Sequence, residues 1–202
     1  MRELWAARHG ESEFSLAQRV NGDPGIACPL TPAGREQARA LGERLAEVAI
    51  GLCAVTEFER VRQTAELALA GRRVPFLVVP ELNDPRYGAF EGGPLDAYRE
   101  WVWGRGPLEA PDGGEHRGEL AARYARGLRV LLGRPEETVL LVAHSLPLAY
   151  LRDAAEGRAP RSRTDQVVYA EAFRLGADGV ERAADVLEAW AEAPAFSGTL
   201  DA

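Results

Sequence analysis

The chain has 202 residues, of which 46% are hydrophobic and 27% charged, a balance that suits one soluble globular domain and excludes a disordered or fibrous polymer. Its formal net charge of −7 argues against nucleic acid or anionic lipid as a partner, since both need a concentrated positive field. Two cysteines, Cys28 and Cys53, stand outside any CxxC or Cys/His grouping, so reduced structural thiols are expected and a zinc site is not.

The opening segment MRELWAARHG meets charge before an apolar leader can form, and no later run reaches a membrane-spanning length, so a cytoplasmic location without membrane association is expected. Glu3 to Ala7 reads as a short strand that delivers Arg8, His9 and Gly10 to its carboxyl end. A loop with Gly22, Pro24 and Gly25 follows. Thr31 then has the character of a helix N-cap with Pro32 in the first helical position, and Ala38, Leu41, Leu45 and Val48 recur at helical spacing. Gly51 to Val55 is a second strand. After it, Thr56 and Glu59 have the spacing of a capping box opening a helix, which places Arg60 in a first turn.

Val74 to Val79 is β-branched and bounded by prolines, a third strand leading into the loop Glu81 to Gly93. Helices are predicted over Leu95 to Trp103 and Gly118 to Leu132. Thr138 to Ala143 is a nearly continuous apolar run, the mark of a central strand buried on both faces, and it ends at His144. Leu146 to Ala155 is predicted helical; Val167 to Leu175 and Gly179 to Val186 are predicted strands joined by a turn at Ala177, Asp178 and Gly179. Residues 1–190 then form one catalytic domain and 191–202 a C-terminal tail. Alternating strands and helices imply an α/β sandwich with a mainly parallel sheet, whose ligand sites lie beyond the carboxyl ends of the strands. That rule selects His9 and His144.

The chemistry of those positions is coherent. A neutral imidazole is a good nucleophile, and an adjacent guanidinium such as Arg8 attracts a phosphate dianion while discouraging protonation of the ring. Arg60, near a helix N-terminus, offers the planar donors that stabilise a phosphoryl group in transfer. His144 can donate to the same oxygens. Each residue alone also fits a purely structural role: a strand exit, an exposed helix pair or a capped polar residue.

Together, RHGES at 8–12, PLTPAGREQA at 29–38, RVRQTAE at 60–66, LNDPRYGAFEG at 82–92 and VAHS at 142–145 resemble, in order, the segments of the histidine phosphatase superfamily, the phosphoglycerate mutase-like two-histidine phosphatases. The resemblance implies a three-layer α/β/α sandwich and in-line attack by His9 on phosphorus, with Arg8, Arg60 and His144 in the phosphate pocket. It assigns the proton donor to the segment that holds Asp84, where relatives commonly carry Glu; Asp84 before Pro85 also fits a turn initiator. It implies substrate-binding roles for Arg8, Gly10, Arg60 and His144, and for Ser15 and Ser145, which replace an asparagine and a glycine of the family pattern. Glu115 is a candidate pocket support.

The expected reaction is hydrolysis of a small phosphorylated metabolite through a phosphohistidine, with no metal and no cofactor. The basic insertion of the mutases is missing after Glu91 and Gly92, while Arg86, Arg99 and Arg105 leave room for an acidic substrate. Trp101 and Trp103 suit a substrate lid or packing against the sheet. Mutase-type phosphoryl transfer and a non-catalytic phosphoryl-binding relative are the alternatives. A serine hydrolase with Ser145 as nucleophile fails by inventory, because no histidine follows His144. The sequence carries no signal of oligomeric state.

Overall fold

Five of the six segments read as strands contribute a strand to one sheet: β1 (Glu3–Arg8), β2 (Leu52–Val55), β3 (Phe76–Val78), β4 (Thr138–Ala143) and β5 (Ala172–Gly176), in the order β3-β2-β4-β1-β5. The computed structural model describes residues 1–196. The first four strands run parallel and β5 is antiparallel to β1. Seven helices among the described residues complete the chain: α1 (Glu13–Leu16), α2 (Pro32–Arg44), α3 (Glu59–Ala68), α4 (Leu95–Trp103), α5 (Arg117–Leu132), α6 (Ser145–Ala155) and α7 (Ala177–Glu192).

Side chains alternate across a strand, so the sheet feeds two cores. Leu4, Ala6, Leu52, Ala54, Val139 and Leu141 face α5, α6 and α7. Ala7, Cys53, Val55, Leu140 and Val142 face α2 and α3. The result is the three-layer α/β/α sandwich with a mainly parallel sheet. Cys28 and Cys53 are free and buried, and burial pushes the Cys53 thiol up to about 12, which leaves it protonated and inert. No helix among the described residues is long and apolar enough to cross a membrane.

Thr31 caps α2 through Gly34 N, with Pro32 at the first helical position. Elsewhere local signals lost to other demands. The segment read as a strand over Gly179 to Val186 is part of α7, because Val180, Ala183, Ala184, Leu187 and Trp190 recur at helical spacing and are buried against α5 and α6. Gly179 lies inside that helix instead of in a turn. Only Ala172–Gly176 of the strand expected from Val167 joins the ladder, since the backbone groups of Val167 bond elsewhere: its N–H to Ser145 Oγ and its carbonyl to Arg8. The expected tail boundary at 191 falls within α7, and Trp190 Nε1 donates to the Ala195 carbonyl at 2.8 Å. Ser197 and Gly198 of that tail lie outside the described residues.

Trp101 and Trp103 do not pack on the sheet. They flank a separate apolar cluster of Val20, Tyr87, Tyr98 and Val102, which seats α4 beside the carboxyl ends of the strands.

Candidate active site

The parallel pairing of β1 with β4 sets Arg8 opposite Ala143, so the next residue of each strand, His9 and His144, emerges side by side. His9 N–H donates to the Ala143 carbonyl at 2.9 Å, and the two imidazole centroids are 5.4 Å apart. His9 Nδ1 lies 2.7 Å from the Gly10 carbonyl, an acceptor only, so Nδ1 carries the ring proton. Nε2 is left with its lone pair, toward which Arg60 Nε is directed at 3.3 Å. Burial, then Arg60 and Arg8, hold His9 well below the usual imidazole range, so the ring is a neutral base at ordinary pH.

Arg60, near the start of α3, is the hub. Its guanidinium donates to Asn21 Oδ1, to the Asn21 carbonyl at 3.1 Å, to Asp84 Oδ2 at 3.2 Å and to His144 Nδ1 at 3.3 Å. With Nδ1 accepting, His144 carries its proton on Nε2, which lies 2.9 Å from Thr56 Oγ1. The predicted capping box is thereby replaced. Phe58 stands at the N-cap of α3 without a side-chain bond, because the Thr56 hydroxyl is committed to His144. Burial, then Arg60 and His9, also hold His144 well below the usual range.

Arg8 stacks on Tyr169 with its Cζ 3.8 Å from the ring centre and donates to Val167, but among the described residues its buried Nε has no partner. Tyr169 is aimed by Ala170, whose φ of +50° lies in the left-handed region and whose N–H donates to the Arg8 carbonyl. A non-glycine residue there costs about 1–2 kcal/mol, strain stored at the pocket wall.

Asp84 Oδ2, besides its bond to Arg60, is 3.6 Å from His144 Nδ1. Burial raises its carboxyl from the ordinary carboxylate value, against the opposing pull of Arg60 and Arg8. Its loop is tied down from α5. Arg123 donates to the carbonyls of Glu81 and Asn83 at 2.9 Å and of Asp84 at 3.3 Å. Arg123 also pairs with both oxygens of Glu115 at 3.0 Å, and Glu115 Oε2 accepts from Arg86 N. Glu115 therefore supports the site through the loop that carries Asp84.

These groups face a cleft of about 600 Å³ lined by Arg8, His9, Ser15, Arg60, Asp84 and Ser145 at its inner end. Ser15 and Ser145 already hold protein partners, Ser12 Oγ at 2.9 Å and Val167 N at 3.0 Å respectively. Gly10 and His144 are not part of the lining. His144 is fully buried behind Arg60 and Asp84. Gly10 N–H donates to Thr64 Oγ1, and a Cβ there would meet the Gly34 carbonyl oxygen at 2.4 Å, so its visible task is close approach to α2. Of the arginines expected near an acidic substrate, Arg99 lines the cleft, whereas Arg105 pairs with Glu109 and Arg86 lies at a neighbouring groove. Trp103 lines the outer part.

Sequence reasoning did not anticipate Asn21, Thr56, Thr64 and Tyr169. Asn21 sits on a loop without periodicity, and Tyr169 lies in the stretch read as a strand, where it makes only an isolated bridge to Arg8; long-range pairing brings both in. Among the described residues no group of three or more His, Cys, Asp or Glu is placed to hold a metal ion.

An array with one unprotonated imidazole nitrogen, converging guanidinium donors and a carboxyl of raised pKa can attack, grip and protonate a phosphate ester. Comparison with known proteins agrees with that chemistry. The family model described as histidine phosphatase superfamily (branch 1) matches residues 4–172. A protein of Proteus mirabilis named as a probable phosphoglycerate mutase is 30% identical over 165 residues, covering 78% of this chain and 76% of its own. The solved structure of Bacillus stearothermophilus YhfR is 27% identical, with a TM-score of 0.75 over 85% of this chain and 89% of that one. A mycobacterial glucosyl-3-phosphoglycerate phosphatase solved with VO3 is 25% identical, with a TM-score of 0.72 over 87% and 91%.

Proposed function

Because the chain belongs to the histidine phosphatase superfamily, we propose that it is a metal-independent phosphomonoesterase that hydrolyses a small phosphorylated metabolite through a phosphohistidine on His9. The observation that carries this reading is the bond from His9 Nδ1 to Gly10, which leaves Nε2 unprotonated beside Arg60 in the cleft.

His9 Nε2 attacks phosphorus in line, forming the N–P bond as the ester P–O bond breaks. Arg8 and Arg60 carry the charge spread over the equatorial oxygens, and His144, just behind them, adds a donor once protonated. Asp84 gives its proton to the leaving oxygen, and its raised pKa suits that step. The resulting carboxylate then takes a proton from water as the water oxygen attacks phosphorus, the N–P bond breaks, and phosphate leaves with His9 restored.

The test is rapid acid-free quenching during turnover of an aryl phosphate in excess chelator. The expected outcome is a labelled phosphohistidine that vanishes in His9→Ala, with turnover unaffected by chelator. Turnover without a phosphoenzyme, or activity that needs a divalent ion, refutes the reading. Phosphoglycerate isomerisation primed by a bisphosphate and faster than hydrolysis would replace hydrolysis by phosphoryl transfer.

A further inference from the structure

Of the three buried arginines that line the cleft, one, Arg117, takes no part in the phosphate chemistry. Arg117 is the first residue of α5, only 6% exposed, and it lines the same cleft as His9. Among the described residues its Nε has no hydrogen-bond partner, and its one side-chain bond is a long one, 3.4 Å from Nη1 to the Tyr150 hydroxyl. Among the described residues no carboxylate lies within ion-pair distance of it. The carboxylates nearest in sequence are engaged elsewhere: Glu115 with Arg123 and Arg86, Glu119 with the backbone N–H of His116 in a capping box.

Burial works against such a charge, and the facing Tyr150, Tyr98 and Tyr124 offset it without supplying a carboxylate. A buried guanidinium without a counter-charge forfeits its hydration, and side chains in a first turn lean toward the positive end of their own helix. The surroundings add to the excess. Arginines outnumber carboxylates in the cleft lining seven to two, and beyond Arg8 and Arg60 they include Arg99 and Arg163, both stacked near the Trp103 ring. On the proposed chemistry the inner guanidiniums grip the phosphoryl group, so a ligand that supplies Arg117 with a counter-charge does so with another of its groups.

We infer that Arg117 receives a second oxyanion on the substrate, so that the preferred substrates are phosphate monoesters carrying a distal carboxylate or second phosphate. This rests on the phosphatase reading, and the test separates the two. Phenyl phosphate, with no second anion, reports on hydrolysis itself. Two graded series report on Arg117: ω-carboxyalkyl phosphates beside their carboxamides, and alkane bisphosphates beside the matching monophosphates. At one chain length or more, the charged member is expected to have kcat/KM about tenfold or more above its uncharged partner, expressed in KM, the scale of a hydrogen bond to a charged group.

Arg117→Met is expected to shrink that ratio below about twofold, and Arg117→Lys to retain part of it. The arm that shows the preference identifies the anion. The thermal midpoint of ligand-free Arg117→Met is expected to hold or rise, since a buried unpaired cation has been replaced by an apolar chain. Phenyl phosphate hydrolysis with no charged-member preference at any length overturns the inference and spares the phosphatase reading. A preference that survives Arg117→Met, or a lowered midpoint marking a structural role, also overturns it. Without phenyl phosphate turnover the phosphatase reading falls, and calorimetric binding of the same acid and amide pairs decides on Arg117.

Discussion

Asp84→Asn keeps the shape of the side chain while deleting its proton and its charge, and the geometry gives those two losses opposite consequences. Loss of the proton donor lowers kcat by about 10²–10⁴ for alkyl esters, the usual contribution of general acid catalysis. A nitrophenolate leaves without help, so for its ester kcat/KM, which reports transfer of the phosphoryl group to His9, falls by no more than about tenfold, while kcat also carries the loss of the base in dephosphorylation. Loss of the charge frees the anion site, because Asp84 Oδ2 lies 3.2 Å from Arg60 Nη2, on a donor that a phosphate needs. A hydrogen bond to a charged group contributes about 1.5–3 kcal/mol, and an amide oxygen keeps part of it. Taking about 1.4 kcal/mol as the released share, inorganic phosphate inhibits the variant about tenfold more tightly than the parent. Steady-state kinetics across a leaving-group series, with competitive inhibition by phosphate, measure both. Equal loss of kcat/KM across the series removes Asp84 from the acid role. Weaker phosphate inhibition refutes the competition between its carboxylate and the ligand.

Stability responds to pH through the paired imidazoles. Burial, then Arg60, depress both His9 and His144, so below the unfolded value of about 6.5 the unfolded chain takes up protons that the native state refuses. Unfolding free energy is therefore full above that value and falls as pH drops toward the folded pKa, by up to about 1.4 kcal/mol per pH unit for each ring. His144→Asn is expected to remove one ring's share of the slope in denaturant titrations; an unchanged slope contradicts this. Gly10→Ala drives a Cβ to 2.4 Å from the Gly34 carbonyl oxygen and is expected to cost about 2–3 kcal/mol, read as a lowered denaturation midpoint. Arg60→Lys leaves a point charge where one planar group reaches His9, Asn21, Asp84 and His144, and kcat/KM is expected to fall about 10²–10³-fold, as for loss of an oxyanion donor. A drop below tenfold would show that charge alone suffices at that position.

Much of this fold was legible because its core positions obey simple periods. The apolar run Thr138 to Ala143 is buried on both faces, and two strand ends in parallel register bring His9 and His144 together. Thr31 with Pro32 marks the start of α2 through bonds made within a few residues. Failures came where a local cue was outbid by a distant partner. Thr56 has capping-box spacing, but a buried imidazole from β4 claims its hydroxyl. Val167 has strand character, but Arg8 and Ser145 take its backbone groups. In α7, Gly179 suggested a turn, whereas the helical recurrence of Val180, Ala183, Ala184 and Leu187 carried the true signal. Asn21 and Arg117 left no trace in the pattern, one in an aperiodic loop and the other in an ordinary amphipathic helix, because their significance lies in the presence of an acceptor or its absence.

Helix α5 carries Arg123, which clamps the loop of Asp84, and Arg117, which opens on the cleft. In the proposed roles, proton delivery and ligand choice thus share one mount. Drift of that mount cannot retune one without disturbing the other, whereas α4 and its aromatic cluster, seated apart from the sheet, can be remodelled alone. Diversification for new esters is expected to spare α5 and concentrate its changes on the opposite rim.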